Sequence, residues 1–140
     1  MTHINISALA VGDVIGSKEF LLSRDSLVRY AGASGDFNPI HYRDDVAASV
    51  GLPGVLAHGM LTMGVAVQVV ANWVGDAGKI IDYGVRFTKP VVVDPIDGAV
   101  VLVSGKVGEI DSENGEVRID LTVSFNEQNV LGKARARVRL

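Results

Sequence analysis

The spacing of apolar residues changes along the chain, from a helical pattern to an alternating one. Residues 59–74, "GMLTMGVAVQVVANWV", run apolar almost without interruption. A segment that is hydrophobic all round is either a membrane span or a core helix, and this one is too short to cross about 30 Å of hydrocarbon comfortably. The pattern predicts a buried central helix that Gly75 ends. Upstream, Ser23 stands ready to cap a short helix over residues 24–34, with Leu27, Val28 and Ala31 on its apolar face. A second short helical piece is expected near "DDVAASV", and Gly51, Pro53 and Gly54 make the following "GLPGVLA" a loop.

Beyond the long helix the period becomes two. In "IIDYGVRF", Ile81, Tyr83, Val85 and Phe87 share one face, and Asp82, Gly84 and Arg86 share the other. The stretch "VRIDLTVSF" sets Val117, Ile119, Leu121, Val123 and Phe125 against Arg118, Asp120, Thr122 and Ser124. The stretch "VLGKARARVRL" sets Ala134, Ala136, Val138 and Leu140 against Lys133, Arg135, Arg137 and Arg139. Asn114-Gly115 marks a hairpin between two such strands. One buried helix with an antiparallel sheet that has one wet face is an α+β arrangement. No repeat, linker or low-complexity segment interrupts it.

Composition narrows the function. The chain has 140 residues and a 48% hydrophobic, 21% charged make-up, enough for one domain with its own core. Its net charge of -3 offers no surplus of cations for nucleic acid. The absence of cysteine removes disulfides, thiol nucleophiles and thiolate metal sites together. The start "MTHINISALAVGD" lacks the cationic and apolar pattern of a signal peptide, so a cytoplasmic protein without a membrane span is the default expectation.

The chemistry concentrates in Gly35 to His41, "GDFNPIH". Asp36 and His41 are a carboxylate and an imidazole with a rigid element between them. Fully extended, that separation would be about 17 Å. Pro39 fixes its own φ and biases Asn38 away from the helical region, so the segment is expected to bend and return His41 towards Asp36. Asp-x-Asn-Pro is also ordinary turn chemistry.

The words "YAGASGDFNPIH" and "LAHGMLTMG" resemble the signature of the MaoC-like family, the R-specific enoyl-CoA hydratases and (3R)-hydroxyacyl-thioester dehydratases. The further words "NWVGDAG" and "YGVRFT" resemble the catalytic B-type subunit of the mycobacterial (3R)-hydroxyacyl-ACP dehydratase. The resemblance runs from about Val11 to the carboxyl terminus, with Asp-x-Asn-Pro-Ile-His fully kept, so residues 1–140 are read as a single domain. It implies a hotdog fold, a sheet wrapped round a central helix, and hydro-lyase activity interconverting (3R)-3-hydroxyacyl and trans-2-enoyl thioesters. It also implies that Asp36 and His41 flank the catalytic water and that Asn38 supports the loop beside Pro39. The oxyanion donor that the resemblance implies is the backbone N–H of Gly59, and no cofactor or metal is implied. Helix-start N–H groups and a glycine that permits close approach agree with that role. The expected substrate handle is coenzyme A or acyl carrier protein. The expected assembly is a dimer of identical chains or of this chain with a related subunit, and paired dimers associate further in some oligomers.

Other residues carry milder readings. His58, beside the helix start, could be a second catalytic imidazole but is read in preference as a structural hydrogen-bonding group that supports the site, and His3 as solvated. The stripe Lys133, Arg135, Arg137, Arg139 suggests an acidic partner but fits a solvent face or guarded edge better. Arg86 and Lys89 are candidates to meet carrier phosphates. Asp44, Asp45 and the acids of 111–116 have no metal-ligand spacing. Two rival functions stand beside the hydratase: a hotdog thioesterase, and a non-catalytic acyl-binding subunit.

Overall fold

The computed structural model describes residues 4–140; His3 lies outside the described residues. Five strands, β1 (Val14–Leu22), β2 (Ile80–Phe87), β3 (Ala99–Asp111), β4 (Glu116–Phe125) and β5 (Gln128–Arg139), form one sheet in the order β1-β3-β4-β5-β2. Every neighbouring pair is antiparallel. Three helices, α1 (Arg24–Ser34), α2 (Asp44–Ser49) and α3 (Gly59–Val74), lie between β1 and β2 in the chain. Val101, Val103, Val117, Ile119, Val123, Ala136 and Val138 on one sheet face share a single core with Ala66, Val69, Val70 and Val74 of α3. This is the hotdog arrangement of a sheet curled on one helix.

Two expectations about the helices are corrected. α3 is apolar all round but buried on one side only: Thr62, Ala66, Val69, Val70 and Val74 face inward. Met60, Gly64, Gln68 and Asn72, spaced four apart, form an exposed stripe that the chain's own sheet does not reach. On α1, Leu27 and Ala31 are buried but Val28 is exposed, because its position falls on the side turned away from the sheet.

The Ser23 cap is as expected. Its hydroxyl accepts the Ser26 N–H, and the Ser26 hydroxyl accepts the Ser23 N–H. The helix ends at Gly35, whose φ of 76° belongs to the left-handed region. α1 thereby delivers the chain at a fixed angle into Asp36. Ser23→Ala is expected to lower stability by about 1 kcal/mol in a urea titration; an unchanged midpoint would mean that packing alone holds α1.

The cationic stripe of β5 is spent within the sheet. Arg137 faces Glu109 at 3.8 Å and Glu116 at 3.6 Å, Arg139 binds Glu116 at 2.6 Å, and Arg135 lies 3.8 Å from Asp120. On β4, Arg118 binds Asp120 at 2.8 Å and Glu109 at 2.7 Å. Lys133 keeps the alternation, exposed beside the buried Ala134, but takes no part in these ion pairs. It sits at φ 47° beside a bulge where the β4–β5 register shifts between Leu121 and Val123. The solvent-face reading therefore replaces the acidic-partner one.

Candidate active site

The word Asp36 to His41 bends through two consecutive side-chain turns. Asp36 Oδ1 accepts the Asn38 N–H at 3.2 Å, and Asn38 Oδ1 accepts the Ile40 N–H at 3.2 Å. Asn38 then caps a single 3-10 turn, Pro39–His41, with Pro39 at its start. The result is the expected return of the imidazole: His41 Nε2 stands 3.9 Å from Asp36 Oδ2.

The second word locks onto the first through its backbone. The Leu56 N–H donates to the Ile40 carbonyl at 3.1 Å. The Leu56 carbonyl lies 2.7 Å from His41 Nδ1. A carbonyl only accepts, so His41 carries its proton on Nδ1 and neutral His41 presents a bare Nε2 towards Asp36. The loop itself is pinned to the sheet side, since Ala57 N–H donates to Val91 O and Val93 N–H donates to Val55 O. The side chain of Asp36 is half exposed, at 50%, whereas that of His41 is 11% exposed. The carboxylate meets solvent while the imidazole is held against the interior.

His58 lies behind both. It is 1% exposed, its Nε2 is 3.1 Å from the Asp36 carbonyl, and its ring stacks on His41 with centroids 3.9 Å apart and 23° between planes. Burial pushes its pKa below the ordinary imidazole value, as does the neighbouring His41, while the Asp36 carbonyl opposes the shift. Because the folded pKa is depressed, the unfolded chain binds the proton more readily than the fold does. Stability is then full above about 6.5 and is lost as pH falls from there towards the depressed folded value. The urea midpoint is expected to drop between pH 7.5 and pH 5.5, and to drop less in His58→Phe; equal slopes would contradict the assignment.

At the start of α3 no side chain caps the helix. The Leu61 and Thr62 N–H groups both go to the His58 carbonyl, whereas those of Gly59 and Met60 have no acceptor among the described residues. Asp36, His41, His58, Gly59 and Phe87 line one cavity of about 460 Å³. Asp36, His41 and His58 bring possible metal-ligand atoms within 4.8 Å of one another. The set does not fit a metal well: the in-plane lone pairs of two nearly parallel stacked rings run side by side instead of converging, and His58 Nε2 already faces a carbonyl.

A family described as MaoC like domain matches residues 8–124. The chain belongs to the MaoC-like domain family. Among relatives of that family, the chain is 42% identical over 73 residues to the 3-hydroxyacyl-thioester dehydratase X of Mycobacterium tuberculosis, covering 52% of this chain and 25% of that one. It is 30% identical over 129 residues to the 3-hydroxybutyryl-CoA dehydratase of Methylorubrum extorquens, covering 89% of this chain and 80% of that one. A solved MaoC-like dehydratase superimposes with a TM-score of 0.93 at 36% identity, over 96% of this chain and 42% of the other. The chain thus spans a quarter of the first relative and less than half of that structure. A C-terminally truncated (3R)-hydroxyacyl-ACP dehydratase complex, HadBC of Mycobacterium tuberculosis, shares the fold, with a TM-score of 0.71 at 17% identity, over 98% of this chain and 100% of the other.

The matched MaoC-like span holds both words but stops short of β5, which completes the sheet. Of the remaining candidates, Lys89 reaches the cavity and binds Gln128 Oε1 at 2.9 Å, while Arg86 is exposed on β2. Asp44 is held by Arg24, Asp45 by Arg43 and Asp111 by Asn114, so these acids are structural. Leu56 and Phe87 were not among the site residues expected from sequence. Leu56 acts through its carbonyl, which no residue type advertises, and Phe87 reads as an interior position by alternation.

Proposed function

We propose that this chain is an (R)-specific enoyl-thioester hydratase, or 3-hydroxyacyl-thioester dehydratase, of fatty acid metabolism, with residues 1–140 acting as one hotdog domain in the cytoplasm. The observation that carries the reading is that one cavity is lined by Asp36, by His41, whose bare Nε2 stands 3.9 Å from Asp36 Oδ2, and by Gly59, whose N–H has no acceptor among the described residues. In hydration, water held by Asp36 and His41 forms a bond from its oxygen to C3 of the enoyl thioester. The π electrons of C2=C3 shift to form a C1=C2 bond and those of the carbonyl move onto the thioester oxygen, where the Gly59 N–H holds the charge. The proton that the water loses passes to the Asp36–His41 pair and is returned to C2, restoring the carbonyl. Dehydration runs the same steps backwards. Asn38 holds Asp36 Oδ1, leaving Oδ2 for the water, and Pro39 keeps the turn rigid.

A panel of trans-2-enoyl-CoA chains tests this directly. Loss of the conjugated thioester absorbance with formation of the (3R)-hydroxyacyl product is expected. Release of free thiol without hydration would instead identify a thioesterase, and no turnover of any chain would favour an acyl-binding subunit.

We further infer that the working form is a dimer, of identical chains or with a related hotdog subunit. β2 is an edge strand whose Ile81 and Phe87 are exposed, beside the Met60 stripe of α3, and apolar edges are normally paired or covered. Light scattering on the purified chain is expected to give twice the chain mass or a multiple of it; a fully active monomer would refute both forms of the dimer.

A further inference from the structure

His58 is a buried titratable side chain that the steps above do not use. Its Nε2 faces the Asp36 carbonyl at 3.1 Å. Since that carbonyl only accepts, the proton sits on Nε2, and Nδ1 is left as a bare lone pair. That atom is buried and has no hydrogen-bond partner. Such an orphan is costly and calls for an explanation. Protonating it would place an N–H with no acceptor in a buried site, which is costlier still. The titratable groups facing the ring are Tyr30 of α1 at 4.8 Å between centroids, His41 on one face, and Asp36. None supplies Nδ1 with a partner.

The two imidazoles consequently hold opposite tautomers, His58 with its proton on Nε2 and His41 with its proton on Nδ1. Of their four ring nitrogens, only His41 Nε2 is both bare and open to the substrate cavity. When His41 takes a proton during turnover, its imidazolium lies 3.9 Å from the His58 ring. A second positive charge there would oppose proton transfer; a neutral ring does not.

We propose that His58 is a positioning residue, gripping the Asp36 carbonyl through Nε2–H and presenting a neutral ring on which His41 stacks, so that one side chain sets the spacing of both reacting groups. This rests on the hydratase reading, and it assigns the unpartnered Nδ1 a purpose: it keeps the ring neutral. A pair built so closely is sensitive to small displacements, since a misplacement of about 1 Å costs on the order of 10²-fold in rate.

Two variants separate the parts. His58→Gln can place an amide donor near the position of Nε2 but removes the ring, and His58→Phe keeps a ring and removes the donor. In each, kcat per folded protein is expected to fall by about 10- to 100-fold with little change in KM. Imidazole nitrogen-15 spectra supply a readout independent of activity. In the unaltered protein at pH 7, His58 is expected as the neutral Nε2–H tautomer and His41 as the Nδ1–H tautomer. In His58→Gln the His41 signals are expected to move towards averaged tautomers, which a role confined to folding would not cause. Wild-type kcat in either variant overturns the proposal. So does a His58 found charged, or protonated on Nδ1, at pH 7, and that measurement stands even if neither variant folds or no enoyl thioester is turned over.

Discussion

Asp36→Asn and His41→Ala are each expected to lower hydration of a trans-2-enoyl thioester by about 10² to 10⁴, the range that positioned acids and bases supply. The asparagine is the sharper probe. Its amide oxygen can still accept the Asn38 N–H that Asp36 Oδ1 holds, so the turn persists. What changes is the atom facing His41, from a carboxylate oxygen at 3.9 Å to the N–H donor of an uncharged amide. Because half of the Asp36 side chain meets solvent, the loss of stability should stay small, within the range of about 0.5 kcal/mol typical of surface changes. On the proposed mechanism both groups act on one water, so the double variant should be little worse than the worse single one; independent contributions would multiply instead. Steady-state rates on folded protein decide it. More than about a tenth of the wild-type rate in Asp36→Asn would remove Asp36 from the chemistry, given the size of general acid–base effects.

The parts of this protein that were legible in its sequence are those whose cause is local. The Ser23 cap and the bend of Asp36 to His41 arise from side chains meeting backbone a few residues away, and the Gly75 stop from a left-handed backbone turn whose N–H returns to the Ala71 carbonyl. β4 and β5 were legible because their outward residues are polar, so the period of two stands out. β1 and β3 were not. On β3, Val100 and Leu102 point outward and are exposed among the buried Ala99, Val101 and Val103, and their outward neighbours on β1 are Leu21 and Glu19. An apolar outer face erases the alternation on which strand reading depends. The same limit applies within the site. Asp36, Asn38 and His41 could be named from one word and His58 as a supporting hydrogen-bonding group, but the partners of the Leu56 carbonyl and of His58 Nε2, 15 and 22 residues away in sequence, could not. Backbone acceptors and ring stacks leave no mark in the order of residues. For α3, uniform apolarity predicted burial and could not say on which side, because a helix without a polar face carries no phase.

The start of α3 yields the other large effect. Gly59 has two physical reasons to lack a side chain. On the proposed mechanism a thioester oxygen must reach its N–H, and the Phe87 ring already lies against it: a Cβ at Gly59 would stand 2.9 Å from Phe87 Cδ1 and Cε1. Gly59→Val alone does not distinguish these, because it both obstructs the oxyanion donor and displaces the ring. Phe87 is exposed on the edge strand, so its ring has room to swing, and the clash should be relieved at modest cost in stability. The rate should not be rescued in that way. Gly59→Val is expected to lose about 10² to 10³ in kcat, the effect of removing one oxyanion donor, while thermal stability falls far less. Phe87→Ala serves as the reference, and Gly59→Val with Phe87→Ala should remain as slow as Gly59→Val, because the valine still stands between the substrate and the N–H. Return of the double variant to the rate of Phe87→Ala would show that Gly59 is a glycine only to make room for the ring, and the charge on the thioester oxygen would then need another donor.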